Sequence, residues 1–450
     1  MSLSDAIDDY QHGRLHAAYE QLAGAETTSA QLLFVRVHTR FHDTRKAKNA
    51  ISLARALTQS SEIDSRDRVQ AGVLLAFLLA RAGDVEGGAR AIGEAKTLLE
   101  LDPTAPASLE SEMWHGDATI RYAQGALAES ERSAWNAVYA DLELTYRPAS
   151  LMPAVVPIQV TKARALQLIG LIRGTQERYH EQYRFLREAM TTLRSGPSPD
   201  LYLASFLQAN RSFYARDFGI LSEIIELEMV PHESWPGDLA ELRIEITRSL
   251  AYLYALNGND ELAMHGFAAA AGYTKSKANR LLLISDEAFV SRHLPSPRIL
   301  RAKLTEACTI ADAVDWETSD SERYALHAFA QELAFVTPTR AMTYMSRFTE
   351  LKSAANPLWV SDKRVDAEAY YSAGLVYLAN NQRDQAVHAL VAAFEIWRDV
   401  GFRWRATAVA IELAELTSSA GFASYAGREV AQYPNSWLAR RAMTLGEQAS

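Results

Sequence analysis

The sequence predicts an all-α fold of consecutive helical hairpins, and two observations lead to this prediction. Apolar residues recur at positions i, i+3, i+4 and i+7 throughout the chain, the spacing of one helix face, without the alternation typical of strands. Glycine and proline are sparse, at 22 and 14 of 450 residues, and mark short turns between helical stretches. Two helices joined by so short a turn fold back on each other as an antiparallel pair.

The predicted turns share a Gly, Asn or Asp at their centre. Clear examples are Ala82-Gly83-Asp84, Gln124-Gly125, Asn257-Gly258-Asn259 and Asn380-Asn381-Gln382.

Small residues recur in a fixed order around these turns. Two helices in close contact need Gly or Ala where their backbones approach, and a larger apolar residue in the next layer. The stretch Tyr370–Phe394 shows this order best, and Leu250–Ala270 is nearly as regular. Similar copies begin at Trp114 and Ala410.

This order resembles the tetratricopeptide repeat (TPR) family, which has an aromatic, a Leu-Gly pair and a Tyr on its first helix and Ala, Phe and Ala on its second. Matching positions are Gly374, Tyr377, Ala386 and Ala393. Other units are degenerate: Gln182 stands where the second helix normally has Ala. Weaker hairpins are predicted elsewhere in the chain, each marked by one position on its first helix and one on its second. They are Ala6/Ala18, His38/Ala50, Ala76/Gly88, Gly170/Gln182, Ala209/Leu221, Phe329/Ala341 and one more around Ala288. The resemblance implies a TPR-like α-solenoid of ten or eleven hairpins that forms a right-handed superhelix. If Ala6 and Ala414 are equivalent points ten repeats apart, each hairpin has about 41 residues, which is longer than the roughly 34 of the family.

Two proline-containing stretches interrupt the period. Tyr146 to Pro157 contains Pro148, Pro153 and Pro157, which cannot continue a helix, and Met229 to Asp238 is predicted as a second extended loop. We therefore place a soft boundary between N-terminal repeats, residues 1–147, and central and C-terminal repeats, residues 148–450, within one continuous stack.

Composition narrows the classes of function. The net charge is −9 and the charges are scattered, which argues against general affinity for nucleic acid or anionic lipid. No apolar run reaches the length of a membrane span, and Met1–Tyr10 is acidic where a signal peptide would be basic. Both features predict a cytoplasmic protein. The lone Cys308 lies in an apolar stripe and is predicted to be a buried structural thiol.

The C-terminal stretch carries a second resemblance. Gly401 to Ala442, with its Gly421 turn and its closing Tyr433–Arg441 segment, is similar to the end of the helical sensor region of LuxR-type (MalT-like) bacterial regulators. In that family a DNA-binding domain follows, whereas this sequence stops at Ser450. The resemblance therefore implies no direct DNA binding by that route.

Motifs of catalysis or cofactor binding are missing from the sequence. It contains no phosphate-binding glycine loop, no HExxH and no GxSxG elbow, so we predict no enzyme activity, cofactor or metal. The pairs His38/His42 and His12/His16 have metal-ligand spacing but lack further ligands nearby, which favours solvated or half-buried histidines. Trp114, Trp135, Trp397 and Trp404 are interpreted as core residues.

A binding surface is implied by the TPR resemblance, since the first helix of each hairpin lines the inner groove in such proteins. Arginine there could clamp a carboxylate, and Asn and aromatic residues suit a peptide. For any one residue, a solvated role or an inter-repeat salt bridge stays open as the alternative. When the TPR pattern is applied to each repeat in turn, it gives nine groove candidates. They are His115, Tyr122, Arg164, Gln167, Asn210, Arg248, Tyr252, Arg292 and Tyr371.

Two functions fit this reading. The first is a non-catalytic scaffold, a bacterial regulatory protein that binds a protein or peptide partner; whether it forms a homodimer is left open. The second is a regulator that senses a small molecule or signal peptide in its groove. In a partner-binding scaffold, Arg164, Arg248 and Arg292 would be solvated basic positions that attract an acidic peptide or a terminal carboxylate.

Overall fold

In the computed structural model, every regular element within the described residues is helical. These residues are 3–41, 44–140, 156–196, 200–293, 300–316, 323–353 and 363–449, and the structure is 81% helical. The prediction of an all-α fold is confirmed. None of the described helices is both long and apolar enough to span a bilayer.

In the described chain the helices follow one another as ten packed pairs, with one long and one short helix between the fifth and sixth pairs and a single helix at the end. The first ten helices are α1 (Leu3–Gln11), α2 (Leu15–Leu22), α3 (Thr28–His38), α4 (Thr44–Gln59), α5 (Ser65–Arg81), α6 (Val85–Glu100), α7 (Ala107–Ala123), α8 (Leu127–Tyr139), α9 (Ile158–Thr175) and α10 (Tyr179–Arg194). The others are α11 (Leu201–Phe218), α12 (Glu223–Glu228), α13 (Ala240–Leu256), α14 (Asp260–Tyr273), α15 (Lys277–Arg292), α16 (Arg301–Asp312), α17 (Arg323–Leu333), α18 (Pro338–Ser353), α19 (Lys363–Ala379), α20 (Arg383–Asp399), α21 (Arg403–Thr417), α22 (Ala420–Glu429) and α23 (Trp437–Ala449).

The chain divides into two compact units. Unit 1 is Met1–Arg211 with Pro236–Leu239, and unit 2 is Ser212–Trp235 with Ala240–Ser450. The predicted boundary between residues 147 and 148 lies outside the described residues and stays a prediction. The stretch Met229–Asp238, predicted as an extended loop, instead contains 3-10 turns at His232–Ser234 and from Gly237, with Trp235 buried.

The predicted turns join the helices of the pairs. Gly83 and Gly258 have positive φ angles of 89° and 84°, and Asn381 has a φ of 62°. Glycine enters this left-handed region without steric cost and asparagine enters it more readily than most residues, which explains their place in the pattern. Polar side chains also cap helix starts: the Asp84 carboxylate accepts from the Gly87 amide at 2.8 Å at the start of α6.

Small residues lie where the two helices of a pair touch, as predicted. A Cβ added to Gly374 of α19 would lie 2.7 Å from Leu390 Cγ of α20, and one added to Gly266 of α14 would lie 2.9 Å from Ala251 Cβ of α13. In the α9/α10 pair the buried Gln182 is accommodated by two glycines instead: Gly170 faces its backbone and Gly174 its side-chain amide.

Neighbouring hairpins are joined by polar contacts about one repeat apart. These contacts link residues 38 to 42 positions apart, close to the predicted period of about 41. The clearest are Arg173 to Glu131, Arg248 to Asp286, Arg292 to Glu332, Ser372 to Gln331 and Asn380 to the Pro338 carbonyl. At these positions, polar side chains join neighbouring repeats in addition to apolar packing.

Candidate binding cavities

The first helices of the hairpins in unit 2 line one cavity of about 400 Å³. α11, α13, α15, α17, α19 and α21 each contribute residues to its wall. The contributing residues recur at helical spacing, as in Arg364, Glu368 and Tyr371 of α19, so one face of each first helix points inward. The second helices contribute a single residue, Trp397 of α20.

Ion pairs between helices cover much of this cavity's wall. Arg248 forms two hydrogen bonds with the Asp286 carboxylate, one of them 3.2 Å from Nη2 to Oδ1, and the Tyr252 hydroxyl donates to the same carboxylate at 2.6 Å. Arg248 also lies 3.6 Å from the carboxylate of Glu245 on its own helix. The Arg248 side chain is only 13% exposed.

A second group of ion pairs centres on the buried carboxylate of Asp217. Arg216 and Arg405 contact it at 3.2 Å and 3.0 Å, and Arg405 lies 3.4 Å from Glu368. Burial disfavours the charge of Asp217, but the two guanidinium groups outweigh it and lower the pKa. At Glu368 the effect of burial is larger than the opposing effect of the Arg405 charge, so the pKa of this carboxyl is raised. The charge of Asp217 adds to the increase.

Aromatic side chains form another part of the cavity wall. Trp397 and Trp404 are each 2% exposed, and the Arg405 guanidinium lies 4.9 Å from the Trp404 ring centroid. The Trp404 indole donates to the Arg216 carbonyl at 2.7 Å. The two tryptophans are thus core residues, as predicted, and also line the cavity. Trp114 and Trp135 are half-buried in packing contacts.

The Tyr371 hydroxyl and the Arg405 Nε are buried at this cavity and have no hydrogen-bond partner among the described residues. Tyr371 is 5% exposed, and burial raises the pKa of its hydroxyl, so it stays a neutral donor. A buried donor without a partner is costly and uncommon, which makes these atoms available to a bound molecule.

Unit 1 contains a second cavity of about 440 Å³, again lined by first helices. Its wall comes from α5, α7, α9 and α11, together with Thr39 and Arg40 just after α3. His115 lies on it beside Phe77, with 5.5 Å between ring centroids. Burial, reinforced by the charge of Arg164, lowers the pKa of His115 to about 3, so this imidazole is neutral at neutral pH.

The structure places the predicted groove residues in two separate sets. His115, Tyr122, Arg164 and Gln167 line the unit 1 cavity, whereas Arg248, Tyr252 and Tyr371 line the unit 2 cavity. The other two candidates line neither. Asn210 donates to the Phe206 carbonyl of its own helix at 2.8 Å, and Arg292 pairs with Glu332 at 3.2 Å.

The expectation that the groove arginines are solvated is wrong. The side chains of Arg164, Arg248 and Arg292 are 19%, 13% and 14% exposed, and each contacts a carboxylate. An arginine placed on an inner helix between neighbouring repeats finds an acid on the next repeat. At these three positions the arginine forms an inter-repeat salt bridge, which was the alternative to a solvated role in the groove.

Sequence reasoning missed Arg216, Arg364, Glu368 and Arg405, which belong to the same cavity wall. A local signal existed for two of them, because Arg364 and Glu368 precede Tyr371 by seven and three residues on one helix face. The contact between Arg405 and Asp217 joins residues 188 positions apart, which no local pattern indicates.

The described members of the two histidine pairs contact neighbouring groups of the protein. His38 is buried among aromatic rings, and its Nδ1 lies 2.9 Å from the Phe34 carbonyl. His12 and His16 contact Asp8 and Asp238. Within the described residues, no cluster of three His, Cys, Asp or Glu residues has metal-binding geometry, and His42 lies outside them. Cys308 is buried, as predicted.

The fold and the cavities together define a TPR-like helical-repeat protein whose first helices line two cavities. The apo form of the quorum sensor NprR from B. thuringiensis has a TM-score of 0.50 with this chain at 11% identity, covering 82% of this chain and 98% of that one. The chain is also similar to the apo form of RapI, with a TM-score of 0.45 at 11% identity, covering 94% of this chain and 99% of that one. A third similar structure is NprR in complex with its cognate peptide NprX, with a TM-score of 0.42 at 12% identity, covering 80% of this chain and 100% of that one.

Sequence comparison adds no relative to these structures. No protein-family profile matches the chain, and no curated protein sequence matches it. The TPR-like architecture is confirmed by the structural likeness, while the resemblance to MalT-like regulators stays a prediction.

Proposed function

We propose that this chain is a non-catalytic, cytoplasmic regulatory protein that binds a short peptide segment of a partner in the unit 2 cavity. The observation that carries the proposal is the cavity wall itself, where six first helices bring together paired charges, aromatic faces and two unpartnered buried polar atoms. NprR, which has a similar fold, is described as a quorum sensor. Likeness of fold does not transfer a ligand, so the proposal rests on the cavity.

Each part of the wall matches one part of a peptide. The Tyr371 hydroxyl and the Arg405 Nε can donate to backbone carbonyls, and the rings of Trp404 and Tyr252 offer flat apolar area. The volume of about 400 Å³ suits a segment of a few residues and excludes a whole helix. A nucleic acid is not the proposed partner, because the net charge is −9.

A small molecule in the same cavity is the alternative function. Its volume falls within the range of about 300 to 1,000 Å³ typical of small-molecule sites. A metabolite with several acceptors would use the same two donors, and a binding screen separates the two functions.

The test is a binding screen followed by removal of a single hydroxyl. Peptide and metabolite libraries are screened by quenching of tryptophan fluorescence, since Trp397 and Trp404 line the cavity. For a peptide hit, Tyr371→Phe should weaken binding about fivefold or more, because one hydrogen bond is lost. The same change should leave stability unchanged or slightly higher, because it removes a buried hydroxyl that has no partner.

The matched control is Tyr370→Phe, one residue away. Tyr370 is 43% exposed and does not line the cavity, so its substitution should change neither binding nor stability. Equal effects of the two changes, or hits only among metabolites, would contradict the peptide proposal.

A further inference from the structure

The cavity of unit 1 carries an excess of positive charge that the peptide proposal does not use. Four guanidinium groups lie at or beneath its wall, those of Arg36, Arg40, Arg81 and Arg164. Two carboxylates neutralise part of this charge within the described residues: Glu112 pairs with Arg36, and Asp200 pairs with Arg40 and lies 3.7 Å from Arg164.

Arg81 is the cation least compensated by its neighbours. Its guanidinium donates to the carbonyl oxygens of Thr39, at 2.5 Å, and Phe41, which hold its position and leave its charge intact. One Asp200 carboxylate also serves two arginines. The excess amounts to two positive charges. The low pKa of His115, which burial and Arg164 cause together, is what a positive environment produces at a histidine.

Most of the remaining wall is apolar, although Thr119 and Gln167 also line it. Phe77, Leu168, Leu171, Leu203 and Phe206 line the cavity, and the described lining residues include no carboxylate. An apolar space of about 440 Å³ edged by cations favours a molecule with an apolar body and one negative end. A cationic or strongly polar molecule would meet charge repulsion or lose hydration without replacement.

We propose that the unit 1 cavity is a second ligand site, separate from the proposed peptide site, that binds a small carboxylate with an apolar body. The carboxylate lies toward Arg81 and Arg164, and the apolar body fills the space between Phe77, Leu171 and Phe206. The neutral His115 ring lies on the same wall and can donate one hydrogen bond without adding charge.

The experiment compares three eight-carbon probes by calorimetry with the full chain: octanoate, octanol and octylammonium. Octanoate should bind at least tenfold more tightly than octylammonium, because only the carboxylate gains charge-assisted hydrogen bonds. Octanol should fall between them. Affinity should rise about fourfold per methylene from hexanoate to octanoate, since each added group is buried. Equal binding of octanoate and octylammonium, or no binding of octanoate, overturns the proposal.

Two variants locate the site, and one matched variant controls for charge. Arg81→Gln should weaken octanoate about tenfold and octanol less than twofold. Arg90→Gln removes the same charge from an exposed position on the second helix of the same hairpin. It should leave the affinities for octanoate and for octanol unchanged. Leu171→Trp fills the cavity and should abolish the binding of octanoate and of octanol. This variant keeps the test valid if Arg81→Gln fails to fold.

The site is also separable from the proposed peptide function. Tyr371→Phe should leave octanoate binding unchanged, because Tyr371 belongs to unit 2. If Leu171→Trp binds octanoate as the unchanged chain does, the carboxylate site lies elsewhere and the proposal fails.

Discussion

At the scale of single residues, Arg248 shows how a residue expected to bind a partner can hold the fold together. Its guanidinium is shared by Asp286 of the next repeat and Glu245 of its own helix, and its side chain is largely buried. Removing one member of such a pair leaves a buried charge uncompensated.

We therefore expect Arg248→Glu to lower the free energy of unfolding by about 3 to 5 kcal/mol. Denaturant unfolding measures this loss. The charge reversal Arg187→Glu, at an exposed position of α10, should stay within about 0.5 kcal/mol. The double change Arg248→Met with Asp286→Leu should recover much of the stability, since no charge is then left unpaired. A stable Arg248→Glu variant would show that the pair contributes little.

Asp102, in the connection between α6 and α7, gives a pH-dependent prediction. Hydrogen bonds from Arg66 at 2.7 Å and from the Thr104 hydroxyl at 2.6 Å lower the pKa of its carboxyl from 3.8 to about 2. Because the folded pKa is lowered, the contribution of Asp102 to stability is present above about pH 4 and is lost as the pH falls toward 2.

The pKa of the Asp102 carboxyl can be followed by NMR titration. Arg66→Met should raise it toward 3.8, because the largest cause of the shift is removed. Arg55→Met, at an exposed position of α4, should leave it at about 2. An unchanged titration of Asp102 in Arg66→Met would assign the shift to Thr104 alone.

At the scale of elements, the close approach of the two helices in a hairpin depends on residues without bulk. A side chain at Gly374 would collide with Leu390 and approach the Ala386 carbonyl at 3.3 Å. Gly374→Leu should overpack this contact and cost about 1 to 3 kcal/mol or more, measured as a drop in melting temperature. Gly93→Leu is the matched control. Gly93 is also helical, but a Cβ added there would meet no atom within 4 Å, so the change should be neutral or stabilising.

Hairpins were predictable from the sequence because their signals are local. A turn such as Asn380-Asn381-Gln382 and a small residue such as Gly374 lie within one repeat, where spacing and sterics determine the structure. The cavities were only partly predictable. The first helices were correctly expected to line them, but which charges meet, as at Arg405 and Asp217, depends on residues 188 positions apart. The short α12 and the 3-10 turns after it also lack a periodic signal.

At the scale of the whole molecule, each hairpin packs mainly on its neighbours in the chain, so stability should be distributed along the stack. We expect the Gly374→Leu change to lower hydrogen-exchange protection in α17 to α22 and to leave α5 and α6 unchanged. Exchange followed by mass spectrometry measures this. An equal loss of protection in α5 and α6 would indicate a single cooperative transition for the whole chain.

The polar contacts that join residues 38 to 42 positions apart have a consequence for the order of the repeats. Arg248 pairs with Asp286 and Arg292 pairs with Glu332, so each of these hairpins carries a charge whose partner lies on the next hairpin. Hairpins with nearly the same backbone are therefore not interchangeable. A chain in which these hairpins were exchanged with others would keep its helices and its apolar faces, yet Arg248 and Arg292 would lose their carboxylate partners. Anyone who shuffles, shortens or extends this array therefore has to restore matching charges across each new junction.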